Sequence, residues 1–329
     1  MRISVAMTTY RGASYLPAQL ESLRVQTRPA DEVIICDDGS DDETAQIVTD
    51  YIRDYQLTGW KFYQNEQNLG YRLNFRQAIE KTTGDLIFLS DQDDVWKPEK
   101  LGRMEGMFLT HPDMLSLNTG FDPIDASGMP IAVPDRRGWS NHNLIPTRLK
   151  AGELRKFPAE QVYTHNLSPG CTMAFTVQLK QEFLRTTKSV LPHDWDLNAI
   201  AAAEGGAYFW NVPLISYRLH GNNTIGLPGV GKKRSRKQKD RTLRTKIATE
   251  YAQFLDALHD ELADKLTQKQ KQKLDRTCAF ANLRVKVLTD RRICDCLRLW
   301  KYPRIYRRQI RFRGRVLDFL RCVLAHSDL

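Results

Sequence analysis

Short apolar runs alternate with amphipathic stretches through the first 110 residues. Ile3 to Thr8, Glu32 to Cys36, Lys61 to Tyr63 and Asp85 to Ser90 predict strands, and the stretches near Ala13 to Gln26, Asp41 to Tyr55 and Asn74 to Thr82 predict helices. That alternation is the pattern of a parallel sheet with crossover helices, in which ligands bind beyond the carboxyl ends of the strands. Residues 113 to 225 are less regular and richer in Pro and Gly, with strands expected around Met173 to Thr176 and Tyr208 to Val212 and a helical pattern over Leu197 to Glu204. A break follows at Gly226 to Gly231. Beyond it Leu243, Ile247, Tyr251, Phe254, Leu255, Leu258 and Leu262 recur at helical spacing. The pattern predicts a mixed α/β domain over residues 1–225, a basic linker over 226–241 and a basic helical appendage over 242–329.

Composition adds constraints to this outline. With 329 residues, 41% hydrophobic and 27% charged, the chain can bury a sizeable core and lacks the bias of a disordered protein. The opening MRISVAMTTY turns polar too soon for a secretory signal, and no apolar run reaches spanning length, so membrane contact is expected to be peripheral and the location cytoplasmic. The six cysteines are scattered, with one C-x-C pair, and read as reduced thiols. The net charge of +10 is a property of the C-terminal part. Residues 232 to 241 hold seven basic side chains and Asp240, and Arg291 to Arg321 hold eleven against Asp295 and Asp318.

Candidate chemistry sits at the predicted strand ends. The second strand runs into Asp37-Asp38-Gly39-Ser40-Asp41-Asp42, where acidic groups suit hydrogen bonding to a base or ribose; the same residues also suit a turn with a helix cap. The fourth strand ends in Ser90-Asp91-Gln92-Asp93-Asp94. Carboxylates packed this closely repel unless a cation compensates them, and Mg²⁺ or Mn²⁺ prefers carboxylate and phosphate oxygens; a solvated acidic turn is the alternative. Further on, His193-Asp194-Trp195-Asp196 precedes the helical pattern from Leu197.

Thr8-Thr9-Tyr10, Asp37-Asp38-Gly39-Ser40 and Asp91-Gln92-Asp93-Asp94, in this order and spacing, resemble the hallmarks of family 2 glycosyltransferases with the GT-A fold. The resemblance covers roughly residues 1 to 225. It implies a Rossmann-like mixed sheet, a nucleotide-sugar donor and a Mg²⁺ or Mn²⁺ cofactor. It implies that Thr8, Tyr10 and Asp38 contact the nucleotide, that Asp91 and Gln92 line the donor site and that Asp93 holds the metal. Asn68-Leu69-Gly70-Tyr71-Arg72-Leu73-Asn74 is similar to the family's loop beside the nucleotide, which gives Arg72 to the phosphates. Asp194 matches the position of the base that removes the acceptor proton in an inverting transfer, with Asp196 as fallback. His193 replaces the acid that commonly precedes it. Tyr217-Arg218-Leu219-His220-Gly221-Asn222-Asn223 resembles a segment of members described as rhamnosyltransferases and makes His220 a candidate for the metal or diphosphate. That similarity points to a thymidine-diphosphate-activated L-rhamnose and to bacterial surface polysaccharide.

Trp195, Arg136 and Trp139 are candidates for acceptor contact, each equally readable as a core or surface residue. In the tail, Ile305, Ile310, Phe312, Val316, Leu317, Leu320 and Val323 alternate with arginines, a pattern that suits an anionic membrane carrying a lipid-linked or oligosaccharide acceptor. A soluble bundle or a homodimer through the same helices are the other readings. The basic tail alone would fit nucleic acid, but the acidic strand ends oppose it, and the G-x-x-x-x-G-K-[ST] loop of nucleotide hydrolases is missing. A sugar-nucleotide binder without activity is the remaining alternative, disfavoured by the intact Asp91, Asp93 and Asp194.

Overall fold

A computed structural model describes residues 1–186, 192–221, 241–262, 266–310 and 312–324. The break at Gly226 to Gly231, the basic run up to Asp240 and Asn222-Asn223 lie outside the described residues. The chain divides into two compact units, Met1–Pro158 with Asn166–Lys232, and Ala159–His165 with Lys233–Leu329.

The first unit begins with β1 (Ile3–Thr9), α1 (Leu16–Arg24), β2 (Glu32–Asp37), α2 (Thr44–Asp54), β3 (Trp60–Gln64), α3 (Tyr71–Lys81) and β4 (Leu86–Ser90). It continues through β5 (Val95–Trp96), α4 (Lys100–Thr110), β6 (Ser116–Ile124) and β7 (Leu154–Lys156). After α5 (Ala159–Val162), which belongs to the second unit, come β8 (Met173–Thr176), α6 (Val177–Thr186), α7 (His193–Ala203) and β9 (Ala207–Arg218). The strands form one mixed sheet in the order β3-β2-β1-β4-β8-β6-β9-β5, with β7 paired to β9. The strands β3, β2, β1 and β4 are parallel, and β8 turns antiparallel against both β4 and β6. Every residue of β1, β2 and β4 is buried, because crossover helices cover both faces of a parallel sheet. Ile3, Val5, Met7, Val33, Ile35, Leu86 and Phe88 form the centre of this core.

The second unit contains α5, α8 (Arg241–Leu262), α9 (Gln268–Asp290), α10 (Ile293–Arg298), α11 (Pro303–Gln309) and α12 (Phe312–Leu324). Thr267 and Gln270 close a reciprocal cap at the start of α9. Arg291 ends it in the left-handed region at φ 56°. The expected α8 stripe is buried only in part. Phe254, Leu255, Leu258 and Leu262 are inside, whereas Leu243 and Ile247, in its first two turns, are exposed. No helix among the described residues is long and apolar enough to cross a membrane.

Candidate active site

The chain leaves β1 towards β2 and β3 on one side and returns to β4 on the other. This makes the β1–β4 boundary the topological switch point, where an open α/β sheet forms its ligand crevice. Register aligns Thr9 with Asp37 and Met7 with Ser90, so the three motif-bearing loops emerge from one edge of the sheet.

The first acidic motif builds this edge. Asp37 accepts hydrogen bonds from the Thr9 hydroxyl at 2.7 Å, the Ser40 hydroxyl at 2.6 Å and the Ser40 N–H at 2.8 Å. Gly39 makes the turn at φ +73°, a conformation that suits glycine. The buried Asp38 carboxylate accepts from Leu69 N at 2.8 Å, Gly70 N at 2.9 Å and Asn65 Nδ2 at 3.2 Å. Expected at the nucleotide, Asp38 is occupied in pinning the loop that leads into α3. Gln92, expected on the donor, has another occupation as well. Its amide takes Tyr10 N at 2.7 Å and gives to Tyr10 O at 2.9 Å, clasping the loop after β1 to the loop after β4. Thr8 is buried, the Tyr10 side chain is exposed, and the Arg72 guanidinium lies 5.7 Å from the Tyr71 ring.

The second acidic motif is drawn together by β9. Arg218 donates its N–H to Asp94 Oδ1 at 3.0 Å and its Nε to the Asp93 carbonyl at 2.7 Å. His220 Nε2 meets Asp93 Oδ2 at 2.7 Å, with its ring against Tyr15. Asp94 is fully buried, and among the described residues its Oδ2 lacks a well-formed hydrogen bond. Donor atoms of Asp91, Asp94 and Cys171 lie within 4.8 Å of one another. Burial and mutual repulsion hold the Asp91 and Asp94 carboxyls well above the usual range. Burial also raises the Cys171 thiol, keeping it protonated and unsuited as a ligand. The fully buried Lys100 lies beside this cluster as well. Its ammonium donates to the Cys171 carbonyl at 2.6 Å, sits 3.4 Å from the Trp96 ring centroid and is brought down to about 7 by burial. A hard divalent ion fits this donor set, since clustered carboxylates repel, and one of their oxygens is buried and under-partnered.

Across the site, α7 begins at His193, four residues before the expected helical pattern, with Pro192 at its cap position. Asp194 therefore lies inside the first turn, not at the cap. Its Oδ2 accepts from Asn166 Nδ2 at 2.7 Å and its Oδ1 from Trp195 N at 3.0 Å. Asn166 Oδ1 in turn accepts from Asn198 Nδ2 at 3.0 Å, and Asn198 Oδ1 accepts from Asn118 Nδ2 at 2.7 Å and the Ser116 hydroxyl at 3.0 Å. Burial pushes the Asp194 carboxyl up to about 6 despite these donors, with the hydrogen bond from Asn166 the largest opposing effect. His193 stacks on Phe75 with ring centroids 3.9 Å apart, and among the described residues neither ring nitrogen has a hydrogen-bond partner. It does not orient Asp194 through a hydrogen bond, and burial takes its imidazole down to about 3. Gly170 leaves room for this turn, because a Cβ there would lie 3.1 Å from His193 Nε2 and 3.3 Å from Asp194 Cβ.

Trp195 is half-buried beside Asp194, and Asp196 is buried one residue further on. Arg136 is exposed, with its guanidinium 5.8 Å from the half-buried Trp139 ring. Their segment holds three consecutive left-handed residues, Asn141, His142 and Asn143, and Asn141 ties it to Leu167 and Ser168. Asn166, Asn198 and Lys100 were not singled out from the sequence. Single polar residues outside any motif give no pattern, and Lys100 follows Lys97-Pro98-Glu99 like an ordinary surface lysine.

Similar chains include an uncharacterized glycosyltransferase of Nostoc sp., 27% identical over 230 residues covering 68% of this chain and 66% of that protein. The dTDP-rhamnosyl transferase RfbG of Shigella flexneri is 26% identical over 235 residues, 67% of this chain and 73% of RfbG. Matches to the Nostoc protein and two Rickettsia glycosyltransferases span a little under two thirds of those proteins' lengths. In fold, the chain resembles Staphylococcus aureus TarS 1-349 in complex with UDP, with TM-score 0.54 and 16% identity over 100% of this chain and 92% of that one. It also resembles the mannosyltransferase PcManGT of Pyrobaculum calidifontis in complex with GDP-Man and Mn²⁺, with TM-score 0.52 and 15% identity over 99% of this chain and 86% of that one. These likenesses carry the GT-A fold. Residues 4–172, just over half of the sequence, match the family described as glycosyl transferase family 2, and the chain belongs to that family.

Proposed function

We propose that this protein is an inverting glycosyltransferase that moves one sugar from a nucleoside-diphosphate donor to an acceptor hydroxyl. The observation that carries the reading is a division of labour between carboxylates. The acidic loop after β4 lies at the switch-point crevice, and the separate, buried Asp194 is held by Asn166 and raised to about 6, near a working pH.

Asp194 takes the proton of the acceptor hydroxyl as its oxygen attacks the anomeric carbon. The bond from that carbon to the diphosphate oxygen breaks on the opposite face, and the electron pair leaves with the nucleoside diphosphate. No covalent sugar–enzyme intermediate is formed. Asp93, with Asp91 or Asp94 beside it, would hold Mg²⁺ or Mn²⁺, whose charge offsets that of the departing diphosphate. His220 orients the Asp93 carboxylate through their 2.7 Å contact and stands next to the same phosphates. Thr8, Tyr10 and Asp91 receive the nucleoside, Arg72 faces the phosphates, and Gln92 and Asp38 serve by holding the loops that carry these groups. Trp195, Arg136 and Trp139 line the acceptor side.

The Shigella relative, by its name a dTDP-rhamnosyl transferase, supports a dTDP-rhamnose donor. The L-sugar, a lipid-linked or oligosaccharide acceptor, bacterial surface polysaccharide synthesis and a place at the inner face of the cell membrane rest on the motif resemblance alone. Calorimetric titration with UDP, GDP and dTDP and their sugar conjugates, with Mn²⁺, Mg²⁺ or chelator, tests the reading. Metal-dependent heat for dTDP-rhamnose above the others is the expected result. No binding of any nucleotide by folded protein would overturn it.

A further inference from the structure

The helix α12 is built the wrong way round for an isolated soluble unit. Phe312, Val316, Phe319, Leu320 and Val323 recur at the three- and four-residue steps that make one helix face, and all are exposed, Phe312 by 71%. The inward face carries Asp318 and Cys322, both buried. Asp318 is held there by the Tyr306 hydroxyl at 3.2 Å and faces Arg284 Nε at 3.7 Å. An amphipathic helix ordinarily turns its apolar stripe to the core; here a carboxylate occupies that place and the stripe meets solvent. Beside it Trp300, 59% exposed, packs edge-on against Tyr306, and Leu297 is exposed on α10, which packs on α12.

We propose that this apolar face of α12, with Trp300, docks on an anionic lipid bilayer. The charge of the segment selects the occupant. From Arg291 to Arg321 the sequence carries eleven basic residues and two acidic ones, and Arg292, Arg298, Lys301 and Arg304 are exposed. A basic segment with an apolar stripe and an interfacial tryptophan gains from both anionic headgroups and the acyl boundary. A second copy of the chain would bring two such positive segments together across the stripe, where like charges oppose association. Nucleic acid would satisfy the charge and leave the apolar face in water. The inference concerns the second unit alone and holds whether or not the sugar-transfer reading does.

The test is flotation of the full chain with vesicles of phosphatidylcholine, alone or mixed with phosphatidylglycerol, at low and high salt, with the oligomeric state followed by light scattering. The chain is expected to float with the anionic vesicles and much less with the neutral ones. A Phe319→Ser, Leu320→Ser pair is expected to lower that partitioning about tenfold or more at either salt, since both side chains lose their burial in the interface. A Lys301→Glu, Arg304→Glu pair is expected to lower it chiefly at low salt, where screening is weak. Both pairs alter exposed positions, so unchanged melting temperatures are expected. Absence of flotation by the unaltered chain, or flotation undiminished in the serine pair, overturns the proposal. A dimer that the serine pair converts to monomer, without vesicle binding, makes a second copy the occupant and overturns it too. No sugar donor is present in the assay, so its failure says nothing against the transferase reading.

Discussion

Asn166 gives its side-chain N–H to Asp194 Oδ2 at 2.7 Å while its own carbonyl oxygen is fixed by Asn198 at 3.0 Å. The proposed base is thus held from behind by a chain of amides running to Asn118 and Ser116 on β6. A donor on a carboxylate favours its ionised form, and a hydrogen bond to a charged group contributes roughly 1.5–3 kcal/mol. Replacing Asn166 by Ala is expected to move the acid limb of the activity profile upward by about one pH unit. The same change is expected to lower kcat with little effect on donor binding. A merely structural loss would leave the limb where it is.

As the proposed base, Asp194 must be ionised to accept the proton, so activity should rise with pH through about 6, the value to which burial brings its carboxyl. Replacing Asp194 by Asn is expected to reduce kcat by about 10²-fold or more. Calorimetric donor binding should be retained. A full turnover rate in that variant would remove Asp194 from the mechanism.

Asp93 and His220 make contact but have different expected roles. Asp93→Asn should abolish the metal-dependent part of nucleotide binding, since it removes a ligand charge. His220→Ala should weaken it by roughly 10–100-fold, the usual cost of losing a group that orients a ligand. Titrating each variant with nucleotide in Mn²⁺ and in chelator separates the two.

Asp38 provides a stability test for its loop-holding role. Its two oxygens accept separate backbone N–H groups, from Leu69 and Gly70, so Asp38→Asn leaves an amide NH₂ facing one of them. A loss of about 1–3 kcal/mol in urea unfolding is expected. A variant as stable as the unaltered chain would free Asp38 for the nucleotide alone.

His193 predicts a pH dependence of stability in the opposite direction from a paired histidine. Its folded value lies near 3 against an ordinary 6.5, so between these pH values the unfolded chain binds a proton that the folded chain does not. The stability associated with neutral His193 is present above pH 6.5 and falls as the pH drops, by about 2 kcal/mol at pH 5. His193→Leu should flatten this part of the curve in urea melts at pH 7 and pH 5. An unchanged difference between the two would place the acid sensitivity elsewhere.

The parallel half of the sheet was legible because its strands are buried on both faces and therefore appear as nearly continuous apolar runs, unbroken in Val33–Cys36 and Leu86–Leu89. The mixed half was harder to read. β6 buries Ser116 and Asn118 in the amide chain behind Asp194 and Thr119 beside them, and that polarity hides a central strand from any hydrophobic pattern. The motif residues were found because their spacing is distinctive, but what their side chains do was not. Asp37 turns to the hydroxyls of Thr9 and Ser40, and Asp38 and the Gln92 amide turn to the backbone of other loops, choices that the spacing of a motif does not carry. The outward stripe of α12 was visible as periodicity, yet periodicity alone does not say which face is inside.

The clasp between Gln92 and Tyr10 makes the two loops heritable as a pair. A Cβ on Gly12 would fall 2.2 Å from Gln92 Oε1, so the loop after β1 is shaped around a side chain donated by the loop after β4. Chimeras that exchange one loop with a relative inherit half of a fitted joint. Recombination that moves residues 10–12 and 91–94 together preserves it, and crossover points between β1 and β4 are where donor-specificity grafts will fail.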